Sequence, residues 1–348
     1  MAEALAPGAT IGILGGGQLG RMLALAAARL GLRTHVYEPA AGPCAAPVVE
    51  RVIRAGWDDV AALRDFASGV DVVTYEFENV PVGDLAPVRP GRRALEAAQD
   101  RMAEKDFLTG LGLATAPYAA VDDAGGLAAA LARVGAPAIL KTRRLGYDGK
   151  GQARLAGAAD AAAALAAIGG GPAVLEGFVA FEREISVIAA RGLDGAVAAF
   201  DPGENVHRDG ILHTTTIPAA IPARVAQDAA LIAGRILTAL DYVGVIGVEL
   251  FVTPRGLVVN EIAPRVHNSG HWTMDGCLIC QFEQHVRAIA GWPLGDGARH
   301  SDAVMTNLIG AEIDAAPGLT GAAVHVYDKG EARPGRKMGH VTRLSPRR

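Results

Sequence analysis

Cysteine is scarce in this chain, which has only Cys44, Cys277 and Cys280 among 348 residues. Cys277 and Cys280 form one Cys-x-x-Cys, and no second pair or His-x-x-x-His partner completes a zinc set. Buried thiols in a reducing cytosol are the expected state. The amino terminus, MAEALAPGATIGILGGG, has no basic stretch followed by an apolar one, so no secretion signal is expected. No run of about 18 uncharged apolar residues occurs, so no membrane-spanning helix is expected. Positive charge is not in excess: the net charge is -4 and the pI about 6.1, which argues against a general nucleic-acid binder but allows a local basic patch. A Walker-type G-x-x-x-x-G-K-[ST] loop is missing as well. What remains is half hydrophobic and one fifth charged, enough for a sizeable core in two or three domains.

Read in order, TIGIL, GGGQLG, RMLALAAARLGL and THVYE give strand, glycine turn, helix and strand, the start of a doubly wound α/β unit. DVVTYEFENVP at 71–81 reads as a later strand with an acidic tip. A connecting helix is expected over 94–111, and solvent-facing helices in the alanine-rich stretches 124–132 and 156–168. APAILKTRRLGYDGKGQARL reads as strand, glycine-rich loop, strand, with antiparallel pairing. AVLEGFVAFEREISVIAAR reads as strand, turn, strand. GVIGVELFVTPRGLVVNEIAPR reads as a hairpin with one glutamate per strand, and AAVHVYD as a last strand.

Several patterns carry chemistry. Gly15, Gly17 and Gly20 fit G-x-G-x-x-G, with Glu38 ending the next strand where a dinucleotide's ribose partner would sit. Taken alone the pattern is weak; a structural turn or a loop for another phosphorylated ligand fits better given the later motifs. Lys141 ends an apolar strand, and GYDGKGQ at 146–152 suits an anion cover of backbone N–H groups and lysine charge. Glu176 and Glu184 follow or open strands, where a carboxylate can accept from an adenine amine or ribose hydroxyl, although standing alone they read first as surface charge. Glu249 and Glu261 sit in otherwise apolar strands joined by TPRG. If those strands pair, both carboxylates reach one face, their repulsion raises at least one pKa, and Mg²⁺ relieves it, with Asn260 alongside. PRVHNSGHW suits anion contacts, with Arg265 able to stabilise a transferring phosphoryl group. Lys329, Arg333, Arg336 and Lys337 form a basic cluster fit for a monophosphate.

Five stretches in order, GGGQLGRM, YEFENVP, GYDGKGQ, NEIAPRVHNSGHWT and YDKGEARPGRKMGH, resemble the ATP-grasp superfamily, and within it the N5-carboxyaminoimidazole ribonucleotide synthetase family. The resemblance spans nearly the whole chain. It implies an α/β and α+β fold: a Rossmann-like pre-ATP-grasp domain over 1–100, an ATP-grasp domain over 101–295 with a lid within roughly 115–180, and a small C-terminal domain over 296–348. It implies that Arg101 and Lys141 contact the phosphates of ATP, covered by Gly146, Tyr147, Asp148, Gly149, Lys150, Gly151 and Gln152. Glu176, Gly177, Phe178 and Val179 would meet the adenine, Glu184 the ribose, and His207 would line the same site. Glu249 and Glu261 would bind Mg²⁺ (Mn²⁺ as the alternative), with Asn260 beside them. Gln18, Leu19 and Glu76 would contact the ribose of aminoimidazole ribonucleotide, and Lys329, Arg336 and Lys337 its phosphate. Arg265 would stabilise a carboxyphosphate intermediate. Asn268 and His267 would lie near the reacting groups, and Asp148 would order the loop or assist deprotonation. The implied reaction joins bicarbonate to the substrate amine at the expense of ATP, in a cytoplasmic homodimer with no nucleic-acid or membrane partner. Two alternatives are a formate-dependent glycinamide ribonucleotide ligase and an NAD-dependent oxidoreductase.

Overall fold

The computed structural model describes residues 4–146 and 149–347. Tyr147 and Asp148, two members of the glycine-rich cover, lie outside the described residues. The chain opens with β1 (Thr10–Leu14), α1 (Gln18–Arg29), β2 (Arg33–Tyr37), β3 (Arg51–Ile53), α2 (Val60–Ser68) and β4 (Val72–Tyr75). The four strands pair in parallel in the order β3-β2-β1-β4. β1 is apolar almost throughout because both faces of a parallel sheet are covered. In α1 the buried Leu19, Met22, Leu23, Ala26 and Ala27 form one helical stripe. The strand expected over 71–81 stops at Tyr75. Glu76 N still donates to Leu14 O at 3.0 Å, after which the chain leaves the sheet as a loop. Order reverses around β1, so the glycine turn after β1 and the acidic loop after β4 meet at the sheet's carboxyl edge, where such folds bind ligands.

The helix expected over 94–111 is two helices, α3 (Arg92–Ala98) and α4 (Arg101–Gly110). Asp100 breaks the run by capping α4, its carboxylate accepting from Met102 N at 2.9 Å. A second sheet follows: β5 (Tyr118–Val121), α5 (Ala124–Val134), β6 (Ala138–Thr142), β7 (Gln152–Leu155), α6 (Ala161–Ala167) and β8 (Ala173–Gly177), in the antiparallel order β5-β8-β6-β7. α5 is not wholly solvent-facing, since Leu127, Ala130 and Leu131 pack on this sheet.

The third sheet holds β9 (Arg183–Arg191), β10 (Val197–Ala199), β11 (Gly203–Arg208), β12 (Ile211–Ile217), β13 (Gly244–Thr253), β14 (Gly256–Ala263), β15 (Ser301–Ile309), β16 (Ala323–Val326) and β17 (Lys337–Pro346). Its order is β14-β13-β9-β11-β12-β15-β17-β16, with β10 on the end of β9. The helices α7 (Ala223–Ala239), α8 (Thr273–Gly276) and α9 (Gln281–Ile289) accompany it. Consecutive strands β8 and β9 thus belong to different sheets, and the chain crosses between them over 178–182. The last strands join the central sheet through β12 and β15 rather than forming a sheet of their own. One core cluster unites α1 with α9, Trp272 and Tyr327, so first, middle and last segments share buried surface. Among the described residues no helix is long and apolar enough to cross a membrane.

Candidate active site

The glycine loop is already occupied by the protein's own carboxylates. Glu76 accepts from Gly17 N and, at 2.7 Å, from Gly20 N. Glu38 accepts from Gly16 N at 3.0 Å instead of facing a ribose. These are the N–H groups a dinucleotide's pyrophosphate would need. A Cβ on Gly17 would lie 2.5 Å from Glu76 Oε1, and one on Gly20 2.7 Å from Gly15 O, so glycine here accommodates a carboxylate and a tight turn. Burial raises the Glu76 pKa, with the two backbone bonds opposing it. Leu19, expected at the ribonucleotide, buries its side chain in the core; only its backbone can reach a ligand. Gln18 starts α1 at the same edge and is half-buried.

The sheet β5–β8 and the central sheet carry the residues expected at the nucleotide. Lys141, at the end of β6, lies 3.0 Å from Glu176 Oε2 on neighbouring β8, and both are buried. Burial would raise the Glu176 carboxyl, but Lys141 and then Lys105 hold it below the usual range. Glu176 Oε1 is buried without a hydrogen-bond partner among the described residues. Gly177, Phe178 and Val179 continue from β8, with Arg154 over the Phe178 ring at 4.5 Å. On the central sheet Glu184 Oε1 lies 3.3 Å from His207 Nδ1. The cover closes a hairpin in which Lys141 pairs with Gln152. Gly149 and Gly151 there have φ of 75° and 70°, a left-handed backbone that side chains resist. Gly146 O is 3.5 Å from Arg101 Nη2, and Lys150 lies in the same loop.

The hairpin β13–β14 sets Glu249 directly opposite Glu261, so both carboxylates share a face. A bulge follows, in which Asn260 is the extra residue. Burial, then Glu261 and Glu184, push the Glu249 carboxyl well above its ordinary value. Glu261 goes the other way: Arg101, 2.8 Å from its Oε2, and Lys141 outweigh burial. His267 Nδ1 accepts from Ser269 N at 3.4 Å, which leaves the Nε2 proton facing Glu249 Oε1 at 3.3 Å. Burial and then the Arg265 and Lys337 charges hold the His267 pKa down to about 3. Arg265 Nε donates to Glu78 Oε2 at 2.6 Å. Glu78, Arg101, Glu261, Arg265 and His267 line one polar cavity with Gly146. Asn268 pairs its amide reciprocally with buried Asn307 at 2.9 and 2.7 Å.

The C-terminal basic residues face the same region. Burial lowers the Lys329 pKa to about 8, with Cys44 and Glu76 opposing it and Arg336 and Lys337 adding to it. Lys329 is therefore within electrostatic reach of Glu76 at the first sheet's edge. Lys337 acts on both Lys329 and Glu249, so the basic cluster and the glutamate pair adjoin. Arg336 Nη1 donates to Glu331 O at 3.3 Å.

Three residues escaped the sequence reading. Lys105 is buried, donates to Asn260 O at 2.7 Å and lies 3.4 Å from Glu176 Oε2. Glu104 accepts from Ile262 N at 2.7 Å, and burial raises its pKa to about 8. Their spacing from Arg101, i+3 and i+4, marks one helix face and is the signal that finds them. Glu78 follows Glu76 by two, a weak signal in a segment that is not strand. Elsewhere, Asp275, His325 and His340 are the one trio of metal-ligand types within reach of each other among the described residues. The His325 and His340 rings stack 4.5 Å apart at 14°, however, so their in-plane lone pairs do not converge, and His325 is spent on Asp275 at 3.0 Å.

Two antiparallel sheets that carry a lysine with a glycine-rich hairpin on one and a paired-glutamate hairpin on the other are the pattern of an ATP-grasp ligase. Family models agree: the ribonucleotide synthetase preATP-grasp domain matches residues 8–99, the ATP-grasp domain 106–282, and the phosphoribosylaminoimidazole carboxylase C-terminal domain 303–348. The chain is 58% identical to the N5-carboxyaminoimidazole ribonucleotide synthase of Brucella melitensis, over 99% of this chain and 98% of that one. The Staphylococcus aureus N5-carboxyaminoimidazole synthetase complexed with ADP superposes with a TM-score of 0.93 at 34% identity, covering 99% of this chain and 95% of that one. The Aspergillus clavatus enzyme in complex with ADP and 5-aminoimidazole ribonucleotide gives 0.91 at 30% identity, covering 98% and 94%. The chain belongs to the N5-carboxyaminoimidazole ribonucleotide synthase family, ATP-dependent ligases of purine biosynthesis.

Proposed function

We propose that the two adjoining sites divide the family's reaction, the ATP-dependent carboxylation of 5-aminoimidazole ribonucleotide to its N5-carboxy derivative. In the first half, bicarbonate attacks the γ-phosphorus of ATP, the bond to the β-phosphate oxygen breaks, and ADP leaves carboxyphosphate behind. That step needs positioning and charge neutralisation rather than a covalent nucleophile. Arg101 and Lys141 hold the phosphates and the loop 146–152 covers them, while Glu184 takes the ribose and His207 lines the pocket. Glu176, whose Oε1 is buried without a partner, takes the adenine amine, beside Gly177, Phe178 and Val179. In the second half, the substrate amine takes the carboxyl carbon, phosphate departs, and the amine loses a proton. Lys329, Arg336 and Lys337 bind the ribonucleotide's phosphate, with Gln18, the Leu19 backbone and Glu76 at its ribose. Arg265 neutralises the carboxyphosphate, with His267 and Asn268 beside the reacting groups. Shielding this labile species from water is the task of the cover.

The observation that carries this reading is the Glu249–Glu261 pair set against Arg101. Two carboxylates on one face, Glu249 buried and forced toward its neutral form and Glu261 partly exposed, with an amide oxygen nearby, are a hard-oxygen donor set that fits Mg²⁺, with Mn²⁺ able to replace it. Bound there, the cation supplies charge neutralisation at the transferring phosphate. The division into domains near residues 100 and 300 and a lid over about 115–180 belongs to the same proposal; the break at Asp100 and the separate sheet β5–β8 support the first boundary and the lid, and the change of family model between 282 and 303 supports the second. So does a cytoplasmic homodimer: family resemblance supports the dimer and three unbridged thiols a reducing compartment. ADP release assayed with each substrate pair tests the activity. Release driven by glycinamide ribonucleotide and formate, and not by the imidazole and bicarbonate, would sink it. Light scattering tests the dimer.

A further inference from the structure

We propose that Glu78 is a positioning residue that aims the Arg265 guanidinium at the carboxyphosphate, and that it governs how tightly ATP cleavage is coupled to carboxylation. The inference rests on the role assigned to Arg265 above. Glu78 stands in the loop after β4, in the first sheet's territory, whereas Arg265 follows β14, 187 residues later. The contact is short, 2.6 Å from Arg265 Nε to Glu78 Oε2, and it uses the donor nearest the stem of the guanidinium. Arg265 Nη1 reaches Val266 O at 3.3 Å, and Nη2 has no acceptor among the described residues. One edge of the fork is therefore anchored while a donor remains in the cavity that also holds Arg101, Glu261 and His267. Glu78 is itself held. Gln99, between α3 and α4, donates from Nε2 to Glu78 O at 2.7 Å and to Val80 O at 3.3 Å. Burial would raise the Glu78 carboxyl, but the Arg265 charge and hydrogen bond bring it below its ordinary value, so the anchor stays ionised at neutral pH. Arg265 also feels the Glu261 and Glu76 charges and shares a cavity with Glu261, so without Glu78 these attractions are free to draw the guanidinium away from its present position. A misplacement of about 1 Å costs on the order of a hundredfold in rate. Here it also lets carboxyphosphate break down in water, because ATP cleavage depends on Arg101, Lys141 and the glutamate pair rather than on Glu78.

The test measures ADP and carboxylated ribonucleotide together in Glu78→Gln and Gln99→Leu variants, with Arg265→Ala as reference. We expect ADP formed per product to rise from near one to several, with carboxylation falling roughly 10- to 100-fold and the KM for ATP within about twofold. Gln99→Leu, which leaves the carboxylate in place but frees its backbone, should show the same uncoupling in milder form. It also serves if Glu78→Gln fails to fold. A Glu78→Gln enzyme that is merely less heat-stable, with its ratio still near one, overturns the proposal. So does a uniform loss of ADP and product together. If Arg265→Ala itself stays coupled and active, the role of Arg265 fails and the inference falls with it.

Discussion

Lys105→Met removes a buried ammonium while keeping the length and apolar stem of the side chain. Lys105 Nζ lies 3.4 Å from Glu176 Oε2, a distance at which two unit charges attract by about 5 kcal/mol at an effective dielectric of about 20. Part of that repays the desolvation of the ammonium. Breaking one partner from a buried pair typically costs about 3–5 kcal/mol. Lys141, at 3.0 Å, still neutralises Glu176, which moves the expectation toward about 2 kcal/mol. Asn260 O also loses its donor at 2.7 Å, adding about 1 kcal/mol. The total is about 3 kcal/mol. At roughly 2.1 cal/mol/K of unfolding entropy per residue, a chain of this size should lose about 4 °C in Tm. Calorimetry and urea unfolding measure it. Because Glu176 would be less firmly oriented, the Kd for ATP should also rise, read by titration. The decisive version is a double-mutant cycle with Glu176→Gln, in which the pair should show a coupling of at least about 1 kcal/mol. Additivity within about 0.5 kcal/mol, with Tm unchanged, would refute the reasoning.

Other expectations follow from single contacts. Glu261→Gln should lower bicarbonate-dependent ADP release by on the order of 10²–10³, and full activity would contradict its metal role. Gly20→Ala places a Cβ 2.7 Å from Gly15 O and should cost about 1–3 kcal/mol in urea unfolding; an unchanged midpoint would show the turn is looser than described. His285 is buried, accepts from Val245 N at 3.1 Å and sits 2.8 Å from Thr74 Oγ1, and burial holds its pKa down to about 3. Its ordinary value is about 6.5, so the unfolded chain takes up this proton first as pH falls. Its stabilising effect is therefore present above about pH 6.5 and drains away toward pH 3, by up to about 1.4 kcal/mol per pH unit. His285→Gln should flatten acid denaturation in that window, and identical curves for the two proteins would disprove it.

What the residue order determined by itself was local and periodic. Apolar runs separated by a glycine turn made the first parallel unit legible, because a strand buried on both faces has little freedom in composition. A lone glutamate in each of the otherwise apolar runs GVIGVELFV and GLVVNEIAP stood out, and the short turn between them left little choice but to pair the strands. Lys141 with its glycine-rich cover was readable for the same reason. Tertiary structure decided the rest. The first glycine loop leaves a structural turn and a phosphate site open in the sequence until Glu76, more than fifty residues away, is seen to fill it. Strands β8 and β9 look like one hairpin, yet each belongs to a different sheet, which puts Glu176 and Glu184 on different sheets. Lys105 looks like one more charge on a helix until Glu176 and Asn260 O close around it. The physical reason is common to these cases. Backbone periodicity is written within a few residues, whereas the partner of a buried charge is chosen by which distant segment removes it from water.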